Sequence, residues 1–250
     1  MRQTDQMGGF LKGLAVIEAF GQGRRALTIA EAARIVNLDR AAVRRCLLSL
    51  VKAGYAASDG RYFELTPRVL RLGHAYLSAP LPTLIQPSLD RLADAILESC
   101  SASILDGAEV VYLARASHHH IMGAGLHPGS RLPAYCTSMG RVLLAALPPE
   151  QSRAIIEGSE RTQITSRTLT RIDDLMQELQ RVRTQGYALV DQELAVGSRS
   201  IALPIRNIAG KTVAAINVAA HTSRASLTHL RQAVLPAMQE CQASLAQILP

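Results

Sequence analysis

The sequence contains no tryptophan, and aromatic residues fill only 4% of its 250 positions. Any core must therefore rest on Leu, Ile, Val and Ala, which the 48% hydrophobic content supplies. Cysteine is also scarce. Cys46, Cys100, Cys136 and Cys241 stand apart, with no CxxC pair and no zinc-site spacing. That scatter argues against a disulfide framework and for a reducing, cytoplasmic setting. No apolar run approaches the roughly 18–20 residues of a membrane span. Met1–Gly9 lacks the charged-then-apolar order of a secretory signal. Neither GxGxxG nor GxxxxGKS/T occurs, which removes the Rossmann and P-loop readings and leaves no motif that asks for a cofactor.

Acidic residues are thin at one end. Residues 1–80 hold twelve of the 27 Lys and Arg but six of the 20 Asp and Glu, so +6 of the net +7 lies there. Such a local excess suits a surface that neutralises phosphates. At 250 residues the chain has room for two modest domains.

The basic third is patterned as short helices. Phe10, Leu14, Ile17 and Phe20 recur at helical spacing up to the breaker Gly21-Gln22-Gly23. Thr28-Ile29-Ala30-Glu31 is a capping box opening a short helix that stops at Asn37. Asp39 caps a third helix, Arg40 to Ala53, ended by Gly54. Val43, Cys46, Leu47, Leu50 and Val51 form its inner stripe, and Arg40, Ala41, Arg44 and Arg45 lie opposite. Small Ala41 and Ala42 are expected to let this helix lie close to DNA. Residues 55–64 read as a hairpin turning at Asp59-Gly60 with Arg61 at the tip. The order predicts a winged helix-turn-helix whose third helix enters the major groove. Its expected DNA contacts are Thr28, Arg40, Ala41, Arg44, Arg45, Lys52 and Arg61. The partner would be double-stranded operator DNA, read by a two-fold dimer.

Thr66-Pro67 opens a linker helix, Arg68 to Ser78, and Ala79-Pro80-Leu81-Pro82 is expected to break it. The linker and first helices are the natural dimer seam. Beyond it the sequence predicts a helix (84–99), strands at 102–105, 109–114, 188–191, 200–205 and 212–219, and helices at 139–147, 172–184 and 226–248. The fold class is α+β: an antiparallel sheet flanked by helices, with a sensor-like layout. The expected divisions are 1–66 for the DNA reader, 67–82 for the linker and 83–250 for the second domain.

The whole chain, from about Phe10 to Ile248, resembles the IclR family of bacterial transcription regulators. The N-terminal order carries part of this. The rest lies in Leu132–Arg141, in Gly186-Tyr187, Asp191-Gln192-Glu193 and Gly197–Ser200, and in the Ala215–Val218 strand. The resemblance implies a winged helix-turn-helix joined by a helix to a GAF-like effector domain, in dimers or tetramers. It places Ser138, Met139, Ser200, Asn217 and Ala219 at the effector pocket, with Asp191 close to a family acidic position. Ser200 stands where small-acid members have Cys, and Asn217 and Ala219 stand where they have Ser. The run Tyr135-Cys136-Thr137-Ser138-Met139-Gly140-Arg141 is similar instead to the subgroup controlling aromatic-acid catabolism, whose ligands include protocatechuate and 4-hydroxybenzoate.

Chemistry accommodates such a ligand. A carboxylate gains from the helix N-terminus at Ser138–Arg141. Asn217 can bind a ring hydroxyl or a carboxylate, and Arg141 or Arg199 can supply the counter-charge. The bland alternatives are a solvated Arg141 and an Asn217 that bonds within the sheet. Tyr135 and Gly140 complete the motif. A competing reading makes the chain an enzyme or metal sensor using Cys136 and His118-His119-His120. Neighbours on a strand point to opposite faces, so three adjacent histidines converge poorly on one ion.

Overall fold

A computed structural model of the protein describes residues 7–21, 25–72, 80–117 and 125–249. The chain divides into two units, Met1–Leu77 and Ser78–Pro250. In the first, α1 (Gly8–Glu18) ends in a 3-10 turn, Ala19–Gly21. Thr28 caps α2 (Ile29–Val36): its hydroxyl accepts from the Glu31 N–H at 3.3 Å, and the Glu31 carboxylate accepts from the Thr28 N–H at 2.9 Å. Left-handed Asn37 ends α2. Asp39 caps α3 (Arg40–Lys52) by accepting from the Ala42 N–H at 2.7 Å. The wing is β2 (Ala56–Ser58) and β3 (Phe63–Leu65). A strand too short to show alternation, β1 (Ala26–Leu27), pairs with the other side of β3, giving the order β1-β3-β2. Val16, Phe20, Leu27, Ala32, Val43, Leu47 and Phe63 close the core beneath.

After the cap at Thr66 the chain makes a 3-10 turn, Pro67–Val69, and stays helical to Leu72. The rest of the expected linker helix lies outside the described residues. The expected break at Pro80-Leu81-Pro82 is instead the start of α4 (Pro80–Ile96). Proline suits a first helical turn, because the N–H groups there have no intrahelical acceptor. Ile85, Leu89, Leu92 and Ala93 make the buried stripe of α4.

In the second unit, β4 (Ser99–Asp106), β5 (Glu109–Ala116), β6 (Arg131–Pro133), β7 (Ala188–Asp191), β8 (Ser198–Arg206) and β9 (Thr212–His221) form one antiparallel sheet. The order is β6-β5-β4-β9-β8-β7. One face carries Ile201, Leu203, Ile205, Ala214, Ile216 and Val218 and packs on α4 and the closing helix. That helix runs as α8 (Leu227–His229), a π-helical stretch, Leu230–Val234, and α9 (Leu235–Ala246). The other face is covered by α5 (Ser138–Ala145), α6 (Pro149–Glu157) and α7 (Ile172–Gln185). Strict alternation on β9 sends Ala215, Asn217 and Ala219 toward α5. On β5 the alternation is interrupted. Ala102 pairs with Ala114 and Ser103 with Tyr112, so Leu113 is an extra residue in a bulge. Tyr112 and Arg115, three apart, therefore face the same side as α5.

The seat of α5 is tight. A Cβ on Gly140 would fall on the Ala134 carbonyl oxygen and Cα, well inside contact distance. Gly140→Ala is expected to destabilise the second unit by about 3 kcal/mol or more. Gly13→Ala, with open space around it in α1, is expected to be neutral or to gain up to about 1 kcal/mol. Chemical denaturation of the full chain measures both.

Candidate functional site

On the first unit the expected DNA face is defined by which side of α3 the core takes. Val43 and Leu47 are buried. So is Ala42, which faces the core and does not line the outer surface with Ala41 as expected. Each residue of an α-helix turns about 100° from the last. Ala42 and Val43 therefore share the inner side, whereas Arg40, Ala41, Arg44 and Arg45 are exposed.

Arg40 is the first residue of α3, and Arg44 and Arg45 follow one turn later. None of these three arginines is ion-paired among the described residues. Lys52 is exposed at the far end, about 18 Å along the axis from Arg40. Thr28 is half-buried and its hydroxyl is engaged in the capping box, so it orients α2. At the wing, Asp59 accepts from the Arg61 and Tyr62 N–H groups at 2.8 and 2.7 Å. The Tyr62 and Arg61 amides hold the Asp59 carboxyl below its ordinary pKa. Arg61 is exposed, its guanidinium 5.2 Å from the Tyr62 ring centre.

On the second unit a cavity of about 190 Å³ lies between the sheet and the N-terminus of α5. Thr137 caps α5, accepting from the Gly140 N–H at 3.2 Å, and the next two side chains, Ser138 and Met139, line the cavity. Ser200, Asn217 and Ala219 line it from β8 and β9. Two polar atoms in it, Ser138 Oγ and Asn217 Oδ1, are buried with no hydrogen-bond partner among the described residues. Ser138 is 1% exposed and Asn217 6%.

Five other expected residues are placed elsewhere. The Tyr135 hydroxyl donates to the Thr162 carbonyl at 2.6 Å, and Gly140 is pressed on Ala134. Arg141 is neither solvated nor a counter-charge for the cavity. It is 2% exposed and donates to the Glu193 carboxylate at 2.6 Å and the Tyr135 carbonyl at 3.0 Å. Asp191 pairs with Arg199 at 2.5 Å and with Arg167. Partial burial works to raise the Asp191 pKa, but the Arg199 hydrogen bond and both guanidinium charges outweigh it and leave it below the ordinary value. Arg199 also donates to the Ala225 carbonyl at 3.0 Å, which holds it away from the cavity.

Among the described residues the cation that does line the cavity is Arg115, with Ser101 and Tyr112 beside it. Its Nη1 donates to Ser101 Oγ at 3.3 Å and its Nε to Ser117 Oγ at 3.0 Å. Sequence alternation hides it, because the bulge at Leu113 resets the face. Cys136 also lines the cavity, but burial pushes its thiol up to about 11, which disfavours a thiolate nucleophile. His118, His119 and His120 lie outside the described residues. Among the described residues no cluster of His, Cys, Asp and Glu can hold a metal ion. No described helix is long and apolar enough to cross a membrane. A larger open groove of about 610 Å³ at the other end of α5 contains none of the expected effector residues.

The chain matches two family descriptions: an IclR helix-turn-helix domain over residues 11–60, and a bacterial transcriptional regulator IclR C-terminal domain over residues 74–247. It belongs to the IclR family. This IclR-family regulator is 47% identical to the Pca regulon regulatory protein of Pseudomonas putida, over 93% of this chain and 80% of that one. A crystal structure of a transcriptional regulator from Rhodococcus sp. RHA1 superposes with a TM-score of 0.81 at 44% identity, covering 97% of this chain and 98% of that one. The inducer-binding domain of the PobR transcription factor from Acinetobacter, a double mutant in complex with 3-hydroxybenzoic acid, is 33% identical. Its TM-score is 0.64, and the match covers 67% of this chain and 98% of that domain.

In the second unit the buried Arg141–Glu193 pair joins α5 to the loop after β7. Glu193→Ala strands a buried guanidinium and is expected to cost about 3–5 kcal/mol. The double change Arg141→Met with Glu193→Leu removes both charges and is expected to cost less than the single one. Urea denaturation of the full-length proteins compares them.

Proposed function

We propose that a small aromatic carboxylate, held in the cavity of the second unit, sets the operator affinity or activating state of this regulator. The observation that carries the reading is the pair of buried atoms without partners among the described residues, Ser138 Oγ and Asn217 Oδ1, facing one small space. A buried polar atom without a partner costs about 1–3 kcal/mol, which a ligand recovers by bonding to it. Met139, Val190 and Leu194 supply apolar walls for a ring. The relative that holds 3-hydroxybenzoic acid supports the same ligand class. Protocatechuate and 4-hydroxybenzoate are the first candidates.

The DNA half of the reading assigns Arg40, Ala41, Arg44 and Arg45 to the major groove and Arg61 to the backbone or minor groove, with Lys52 on phosphate. The working form is a homodimer or dimer of dimers in the cytoplasm. Exposed Met7, Phe10, Leu11 and Leu14, spaced along one side of α1, support a surface that pairs with a second copy. Ligand alters DNA affinity only by binding the DNA-competent and incompetent states unequally.

Titration calorimetry of the full chain with protocatechuate and 4-hydroxybenzoate is expected to give saturable heat. Absence of heat from both, with a normal melting curve, would remove the aromatic assignment. Arg44→Ala and Arg45→Ala are each expected to weaken binding to DNA selected from a random pool by about tenfold or more. Their melting temperatures should stay near that of the unmodified protein. Unchanged affinity in a gel-shift titration would disprove those contacts.

A further inference from the structure

The sheet of the second unit outruns α5. β8 and β9 have nine and ten residues, so each extends about 30 Å. α5 has eight residues and spans about 12 Å. The smaller cavity lies at its N-terminus. The open groove of about 610 Å³ lies at its C-terminus, where the β8–β9 hairpin runs on past the helix.

The walls of this groove are apolar and its opening is basic. Val142 and Leu147 come from the α5 end, Leu105 from β4 and Val213 from β9. Val213 is the extra residue of a bulge, because Ile205 pairs with Ala214 and Arg206 with Thr212. Arg206 and Lys211 are exposed, flank the turn of the hairpin and line the groove together. The turn holds them side by side: the Asn207 N–H donates to the Lys211 carbonyl at 2.9 Å, and the Lys211 N–H donates to Asn207 Oδ1 at 2.9 Å. Neither cation is ion-paired among the described residues, and no Asp or Glu among them lines the groove. Asp106, next to Leu105 in the chain, is engaged by Arg131 at 2.7 Å. A helix C-terminus ordinarily repels an anion through its free carbonyls. Here Arg183 covers them, donating to the Ala145 carbonyl at 2.8 Å and the Leu147 carbonyl at 3.2 Å.

We propose that this groove is a second ligand site, for an amphipathic carboxylate whose hydrocarbon chain lies against α5 and Val213 and whose head group meets Arg206 and Lys211. Its volume falls within the roughly 300–1,000 Å³ of small-molecule sites. Charge and wall together decide the occupant. An uncharged hydrocarbon gains nothing from the two cations, and a small anion buries none of the apolar wall. The site is separate from the smaller cavity and requires no particular ligand there.

The test is calorimetry of the full chain with octanoate, octan-1-ol and acetate. Octanoate is expected to bind at least about tenfold more tightly than either of the others. In the double variant Arg206→Gln with Lys211→Gln, octanoate should weaken to the level of octan-1-ol. Octan-1-ol binding should not change, and the melting temperature should stay near that of the unmodified protein, since both side chains are exposed. Equal binding of octanoate and octan-1-ol by the unmodified protein overturns the cationic opening. Equal binding of octanoate and acetate overturns the apolar wall. Undiminished octanoate binding by the double variant puts the anion elsewhere and overturns the site. Absence of heat from octanoate overturns it outright, and a lowered oligomeric state of the double variant in sedimentation would then give the groove to a second copy of the chain. Heat from 4-hydroxybenzoate reports on the smaller cavity and stands apart from all of these results.

Discussion

The buried ion pair between Arg141 and Glu193 holds the second unit's working parts in register. Arg141 lies on α5, the helix that presents Ser138 and Met139 to the cavity, and Glu193 lies in the loop between β7 and β8. The Glu193 carboxylate also accepts from the Leu169 N–H at 3.0 Å, and its carbonyl accepts from the Thr168 hydroxyl at 2.7 Å. The following residues, Leu194 and Ala195, form part of the cavity wall. One charged contact therefore ties cavity floor to cavity wall. Its burial makes the pair costly to break from one side and little affected by salt.

Within that frame the cavity is left chemically incomplete. Most buried polar groups of a folded protein find partners, and Ser103 illustrates this by donating to the Met139 sulfur at 3.1 Å. Ser138 Oγ and Asn217 Oδ1 find none among the described residues, although each lies on a rigid element. A site that stores unsatisfied hydrogen bonds on a helix and a central strand is preorganised for a ligand. In the same chain the first unit carries the IclR helix-turn-helix.

Much of the fold is legible in the sequence. The Thr28–Glu31 capping box, the Asp39 cap and Gly54 delimit α2 and α3 through local hydrogen bonds, and local bonds are written in adjacent residues. Strand-forming pattern and the Asn207–Gly210 turn also mark β8 and β9. Short or irregular pieces escape: β1 and β6 are two and three residues long, and α6 hides behind Pro148-Pro149. Pro80 and Pro82 look like a break yet open a helix, because proline tolerance depends on where the helix begins.

By itself the sequence determined a winged helix-turn-helix with its charge and an α+β partner unit, whereas the positions Ser138, Met139, Ser200, Asn217 and Ala219 followed from the family resemblance. Periodicity and caps act over a few residues, so neighbouring residues suffice to state them. Only the tertiary structure decided which arginine faces the cavity. Arg141 and Arg199 are consumed by Glu193, Asp191 and Ala225, partners 52, 8 and 26 residues away. Arg115 reaches the cavity because a one-residue bulge, set by pairing with β4, turns it inward. Long-range pairing, not residue type, selected the cation.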